Sequence, residues 1–392
     1  MGTYKNDGRS RLIDIFLVSL KLGCTSFGGP TAHIGYFHNE YVKKKKWLDE
    51  REFSELIALC QLLPGPASSQ AGFGIGLKRG GVAGGIASFA GFTFPSFALM
   101  ALFAFYLSGL ASAGNGWLHG LKIVAAAVVL QAVYSLGKSF ATKRETATIA
   151  FLAAAGMFVF PNSLAQLAIM AASGAAGYLF CNKTAGGLSA GSFTNVSKKF
   201  AVACLAIFCL LFVLLPAIRS IGVEAELADS FYRSGALVFG GGHVVLPLLE
   251  RELVPTGFIS KENFLAGYGL VQAMPGPLFT FSAYLGAAVH GWTGAIIAIA
   301  AIFLPGFLLL LAVLPFWEKI RTKPSIQSVV AGLNAGVVGL LAAAFYDPIF
   351  VSSITSRTEA ALFALFFGLL AFWKIPPWLL VVLGAGAGYS FL

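Results

Sequence analysis

The sequence predicts an all-α polytopic membrane protein: two inverted-topology repeats of about six segments each, joined by one linker transmembrane helix, with broken or re-entrant segments at Gly-Gly and Pro-Gly-Pro turns. Three observations carry that prediction. Of 392 residues, 57% are hydrophobic and 11% charged, with a mean hydropathy of +0.80. That apolar share supplies roughly eleven spans of ~20 residues, whereas a soluble domain would carry about 25% charged residues. The second observation is a long-period repeat, and the third is the placing of the basic residues.

The repeat sits at an offset near 212. Gly23-Cys-Thr-Ser-Phe-Gly-Gly-Pro30 is answered by Gly235-Ala-Leu-Val-Phe-Gly-Gly-Gly242, and Gln61-Leu-Leu-Pro-Gly-Pro66 by Gln272-Ala-Met-Pro-Gly-Pro277. Pro95 returns as Pro305, Gly120-Leu121 as Gly332-Leu333, Tyr134 as Tyr346, and Gly177-Tyr178 as Gly388-Tyr389. This order predicts a first repeat over 10–181, a polar linker with a connecting transmembrane helix over 182–221, and a second repeat over 222–392.

Taken in order, the apolar segments of the first repeat run near 12–35, 53–77, 81–110, 117–137, 146–160 and 163–181. A single apolar run, 200–219, follows the linker. The second repeat gives 227–249, 262–288, 292–316, 327–346, 358–373 and 376–392. Six, one and six make thirteen, and the odd connecting crossing turns the second repeat over.

Charge decides how deep the opening segments go. If every segment crossed from a cytoplasmic N-terminus, Lys43-Lys44-Lys45-Lys46 would lie outside, against the positive-inside bias. The conflict vanishes if the first two segments enter and return, turning at Gly28-Gly29-Pro30 and Pro64-Gly65-Pro66. Twenty of the 27 Lys and Arg residues then lie on the cytoplasmic side. The expected orientation is N-terminus cytoplasmic and C-terminus external. Arg9 and Arg11 ahead of an apolar run resemble a signal peptide, but no small-x-small site follows, so the run reads as mature sequence.

Composition also excludes chemistry. The formal charge of +10 is spread in short clusters between apolar runs, which argues against a nucleic-acid surface. Five cysteines without a CxxC pair give neither a disulfide framework nor a zinc site. No Walker lysine, HExxH, EF-hand or nucleophile elbow is present, and Gly72-Phe-Gly74-Ile-Gly76 lacks dinucleotide spacing, so no metal or cofactor is expected. Gly81 with Gly85, and Gly384 with Gly388, read as helix contacts.

Within a membrane an ionisable residue needs a reason. Lys21 and Arg233 occupy the same repeat position, each seven residues after an acid, Asp14 or Glu226. A two-fold pseudo-axis would bring both cations towards one centre; the bland alternative is a base that snorkels to the interface. Lys122 is a third embedded cation, with Asn334 at its repeat position. Pro64, Gly65 and Pro66 precede Ser68 and Ser69, while Pro275, Gly276 and Pro277 precede Thr280 and Ser282. A proline at the first helical position followed by hydroxyl residues marks a helix start with free N–H groups, an anion site when buried. Phe27-Gly28-Gly29 and Phe239-Gly240-Gly241 allow close backbone approach. Packing notches are the structural alternative for each motif. His33 and His243 lie near equivalent turns, where an interfacial role is the default.

Together, Phe27-Gly28-Gly29-Pro30, Gln61-Leu-Leu-Pro64-Gly65-Pro66, Phe239-Gly240-Gly241-Gly242-His243 and Gln272-Ala-Met-Pro275-Gly276-Pro277 resemble the chromate ion transporter family in its long, two-domain form. The resemblance implies a bacterial inner-membrane protein that exports chromate and thereby confers chromate resistance. It also implies an energy source in the membrane potential or proton gradient, with chromate, and sulfate as a related oxyanion, as partners in the bilayer. Coupling to protons or to a second anion is not required energetically, and a homodimer is left open. The competing readings are a membrane-embedded phosphatase acting on lipid pyrophosphates and an anion channel.

Overall fold

The computed structural model describes residues 8–109, 116–181, 196–239, 242–321 and 323–391. Among the described residues there is no strand. The helices are α1 Gly8–Thr25, α2 Gly29–Phe37, α3 Glu50–Leu62, α4 Ala67–Gly109, α5 Gly116–Phe140, α6 Arg144–Val159, α7 Ser163–Phe180, α8 Lys198–Ile218, α9 Val223–Leu237, α10 Val245–Leu253, α11 Lys261–Val271, α12 Phe281–Val313, α13 Trp317–Arg321, α14 Pro324–Ala344, α15 Val351–Ser353, α16 Arg357–Ala371 and α17 Pro377–Phe391. Five stretches, Ala67–Tyr106, Gly116–Phe140, Lys198–Ile221, Leu278–Phe316 and Pro324–Ser353, are long and apolar enough to cross a membrane. The protein is an all-α polytopic membrane protein, as its composition predicts.

Local chemistry sets the helix starts. Asp49 and Glu52 form a reciprocal capping box at α3, and Ser356 and Glu359 form one at α16. Side chains of Asn162, Ser197 and Ser260 accept from the first turns of α7, α8 and α11. The breaks fall at the expected glycines: α1 and α2 are separated at Gly28-Gly29, and α3 and α4 at Pro64-Gly65-Pro66.

The longest helices are hairpins. In α4 the backbone leaves helical geometry at Gly80 and Gly81, the latter with φ +64° and ψ −161°. In α12 it does so at His290 and Gly291, with φ +58° and ψ −149° at the glycine. Eight residues of straight helix span about 12 Å. Yet a Cβ on Gly76 would overlap the Gly84 carbonyl, and one on Gly286 the Gly294 carbonyl, so each chain doubles back on itself. Ser88 Oγ donates to the Gly72 carbonyl at 2.8 Å and pins the first pair of legs. Gly81 is therefore a turn residue, and a Cβ added there would meet no atom within 4 Å, which corrects its reading as a helix contact; only such a conformation, closed to L side chains, requires glycine there.

Two compact units are built from interleaved pieces of the chain. The first comprises residues 1–104, 190–237 and 274–317. In it Gly91 of α4 meets the Phe16 carbonyl of α1, Gly235 of α9 meets the Ile302 carbonyl of α12, and an aromatic core joins the two hairpins. Phe73 stacks on Phe307 at 4.5 Å, and Phe89 lies 4.9 Å from both Phe303 and Phe307. The second unit comprises 105–189, 238–273 and 318–392. Here α5 packs against α11, α16 and α17, and α14 against α6 and α7. Glycine pairs allow these approaches: Gly177 meets Gly332, and Gly120 meets Gly384 and Gly388.

Candidate functional site

The glycine and proline turns of the first unit come together. Gly28, Gly65 and Gly276 adopt φ of +95°, +118° and +92°, a region that suits glycine. The Gly276 N–H donates to the Ser26 carbonyl at 2.8 Å, joining the Pro275-Gly276-Pro277 turn to the end of α1. A Cβ on Gly276 would lie 2.9 Å from Ser96 Oγ, and one on Gly65 would lie 3.0 Å from Gly306 Cα. Ser96 follows Pro95 and Gly306 follows Pro305. Each Pro-Gly-Pro turn is thus seated against the residue after the proline in the long helix of the other half of the chain.

Around this crossing lies a set of buried polar side chains. Gln70 Nε2 donates to the Pro64 carbonyl at 3.1 Å and to the Gly306 carbonyl at 2.9 Å. Two carbonyl partners fix the amide orientation and leave Oε1 buried without a partner. His33 is fully buried, with Nδ1 3.3 Å from Ser68 Oγ and its ring edge-on to Phe92 at 5.3 Å. Ser96 Oγ donates to the Thr93 carbonyl. Ser26 Oγ, His33 Nε2, Ser69 Oγ and Thr93 Oγ1 are, like Gln70 Oε1, buried and unpartnered. An unmatched buried polar group costs about 1–3 kcal/mol, so native interiors keep few of them. Thr280 and Ser282 differ: their hydroxyls donate back to the Pro277 and Phe279 carbonyls and close the helix start.

The predicted cations are not bonded to these turns among the described residues. Lys21 has a largely exposed side chain 3.5 Å from Glu40, which also takes Lys44. Arg233 makes two bonds of 2.9 and 2.8 Å to Asp229, an acid that also faces Arg219 at 3.5 Å. The acids seven residues upstream pair elsewhere, Asp14 with Lys45 and Glu226 with Arg219. Seven residues rise about 10.5 Å along a helix, too far for direct contact, whereas Asp229 sits one turn from Arg233. Lys122 belongs to the second unit. Phe27 and Gly29 are half-buried beside the turn, with Gly28 exposed. Gly240 and Gly241 lie outside the described residues. In the second unit His243 Nδ1 is 2.6 Å from the Tyr268 hydroxyl.

Sequence reasoning passes over Ser26, Gln70 and Thr93, and gives His33 a bland role. Gln70 directly follows Ser69 in the helix start, which is the available signal. Neutral side chains raise no alarm in a membrane segment, unlike lysine.

Comparison with known proteins adds a family. The family model described as Chromate transporter matches residues 13–178 and, again, 225–389. A chromate transport protein of Pseudomonas aeruginosa is 28% identical over 339 residues, covering 85% of this chain and 80% of that one. A probable chromate transport protein of Synechococcus elongatus is 27% identical over 387 residues, or 95% and 93% of the two chains. An uncharacterized transporter of Bacillus subtilis is 30% identical over 114 residues, 29% of this chain and 64% of its own. No solved structure matches. With both halves of the sequence matched and similarity running through nearly its whole length, the chain belongs to the chromate transporter family.

Proposed function

We propose that the protein exports chromate across the cytoplasmic membrane by alternating access, conferring chromate resistance, and that the oxyanion is held where the Pro-Gly-Pro turns cross. The observation that carries this reading is the group of four buried, unpartnered polar atoms on Ser26, His33, Ser69 and Thr93, each able to donate, whereas the Gln70 Oε1 beside them can only accept. Three of them are hydroxyls that rotate freely to donate, and a tetrahedral oxyanion offers four oxygens as acceptors. Gly65 lets the main chain approach the same ligand, whereas the Gly276 N–H is taken by the Ser26 carbonyl. Gln70 positions the turn rather than the ligand, since its nitrogen is already committed to two carbonyls.

The double match of the family and the reciprocal seating of the two turns support a two-repeat architecture over 10–181 and 222–392. With the interior negative, expelling anionic charge gains about 2.3 kcal/mol per charge per 100 mV, so export is electrically downhill and does not require a coupling ion. Lys21 and Arg233, each held by an acid, act in this reading on the anion's approach rather than as ligands. A phosphatase would need an arginine and paired acids beside the nucleophilic serine. His33 meets Ser68 Oγ, but its Nε2 is unpartnered and no arginine or carboxylate joins the pair among the described residues.

The test is chromate flux in proteoliposomes under an imposed potential. Ser69→Ala and Thr93→Val, each removing one neutral donor worth about 0.5–1.5 kcal/mol, should raise the half-saturating concentration about 2- to 10-fold. Lys21→Gln should slow flux at low ionic strength and less at high salt. Unaltered half-saturation in both hydroxyl variants would sink the site, and phosphate release from a lipid pyrophosphate would favour the enzyme. Flux that does not saturate would favour a channel.

A further inference from the structure

The second unit contains a cavity of about 530 Å³ lined by Gly116, Leu118, His119, Lys122, Glu262, Asn263 and Glu359. We infer that it is a second, weaker oxyanion site, centred on the Lys122 ammonium and sharing no lining residue with the turns; this deepens the transport reading and rests on it.

The wall is rigid. On one side α5 is locked against α17, where a Cβ on Gly120 would fall 3.1 Å from Gly388 Cα. Elsewhere it is locked against α11, where a Cβ on Gly269 would fall 3.1 Å from the Leu121 carbonyl carbon. His119 and Lys122 are three residues apart and share a face of α5. With its flanks fixed, α5 holds both side chains towards the cavity.

Most of the charged groups around Lys122 are bonded to partners other than Lys122. Glu359 is fully engaged: His119 Nε2 lies 2.8 Å from Oε1, while Oε2 accepts from the Ser356 N–H at 2.8 Å and the Thr355 hydroxyl at 2.9 Å. Lys261 at the start of α11 faces Asp347 at 3.9 Å. Arg357, at the start of α16, and Glu262, in the first turn of α11, are exposed and of opposite sign. The described part of α14, and α15 and α17, contribute no charged side chain. No hydrogen bond and no ion pair within 4 Å holds Lys122 among the described residues, although the Glu262 and Glu359 carboxylates of the same cavity both attract its charge. A half-buried ammonium aimed into a polar cavity between helices is a site for an anion, not a snorkelling anchor on a lipid face. Glu262 nearby keeps the binding weak, which suits an ion that must also leave.

The experiment is equilibrium binding of radiolabelled chromate to the purified full-length protein in lipid nanodiscs. Two classes of site are expected. Lys122→Gln should remove the weaker class and halve the chromate bound at saturation, and Lys122→Arg should restore it. Ser69→Ala should weaken only the tighter class, about 2- to 10-fold. The retained tight class serves as the folding control for Lys122→Gln. A single class untouched by Lys122→Gln overturns the second site and leaves the turn site standing. A single class abolished by Lys122→Gln overturns the turn site instead, and absence of binding overturns both.

Discussion

Two backbone carbonyls, those of Pro64 and Gly306, share the amide nitrogen of Gln70, so removing that nitrogen strands both. Gln70→Leu keeps the size of the side chain and deletes its donor. The loss should cost about 1–3 kcal/mol, read as a lower Tm of the detergent-solubilised protein, with Ser68→Ala as a milder comparison. At this scale the sequence shows charge well and neutral polarity poorly. Lys21 and Arg233 stand out because an embedded cation demands an explanation, and both find it in nearby acids, Glu40 and Asp229. Asp229 is four residues before Arg233 and could have been paired with it by spacing alone. Glu40 comes from the element that follows α2, and only folding brings it to Lys21. Ser26 and Thr93 have no pattern that separates them from ordinary packing residues until their burial is known.

Each hairpin depends on two kinds of glycine, which fail for different reasons. Gly81 occupies a backbone region that is essentially glycine-only, in open space, so Gly81→Ala is a pure conformational cost of about 1–3 kcal/mol. Gly76 is ordinary helix, but a Cβ there drives into the Gly84 backbone and lies 2.7 Å from the Ser88 Cβ. Gly76→Ala must therefore push the two legs apart. Unfolding of both variants in detergent should show Gly81→Ala losing stability while the legs stay paired. Gly76→Ala should in addition lengthen the distance between spin labels placed on the two legs; an unchanged distance would contradict the hairpin. The segment boundaries near 77–81 and 288–292 are legible from glycine and from the end of each apolar run. Which legs pack is not, because an eight-residue glycine pair is invisible to a helical period.

Over the whole molecule, the halves of the sequence and the compact units do not coincide. The first unit takes α1 to α3 and most of α4 from one half, and α9 and α12 from the other; the second takes α5 to α7 from one half, and α10, α11, α14, α16 and α17 from the other. The repeat arithmetic locates the segments but not this interleaving, since an offset says which residues are equivalent and nothing about which ones touch. The contacts that close each unit are made at backbone distance, Gly235 on Ile302 within the first unit and Gly177 on Gly332 within the second, the latter joining the two halves of the sequence. Neither half can therefore complete either unit alone. Residues 1–181 expressed by themselves should be degraded, as should residues 182–392, while co-expression of the two should recover a complex that copurifies in detergent and restores chromate flux. The Bacillus subtilis relative, in which 114 matched residues make up 64% of the chain, is less than half as long as this protein, close to the length this division requires. Gly332→Leu, placed where Gly177 must approach, should block reassembly of the separate halves more severely than it destabilises the intact chain, because only the intact chain keeps its halves at a high effective concentration. Stable accumulation of one half alone would show that the halves fold as independent domains after all, and copurification despite Gly332→Leu would show that the Gly177–Gly332 approach is not what joins them.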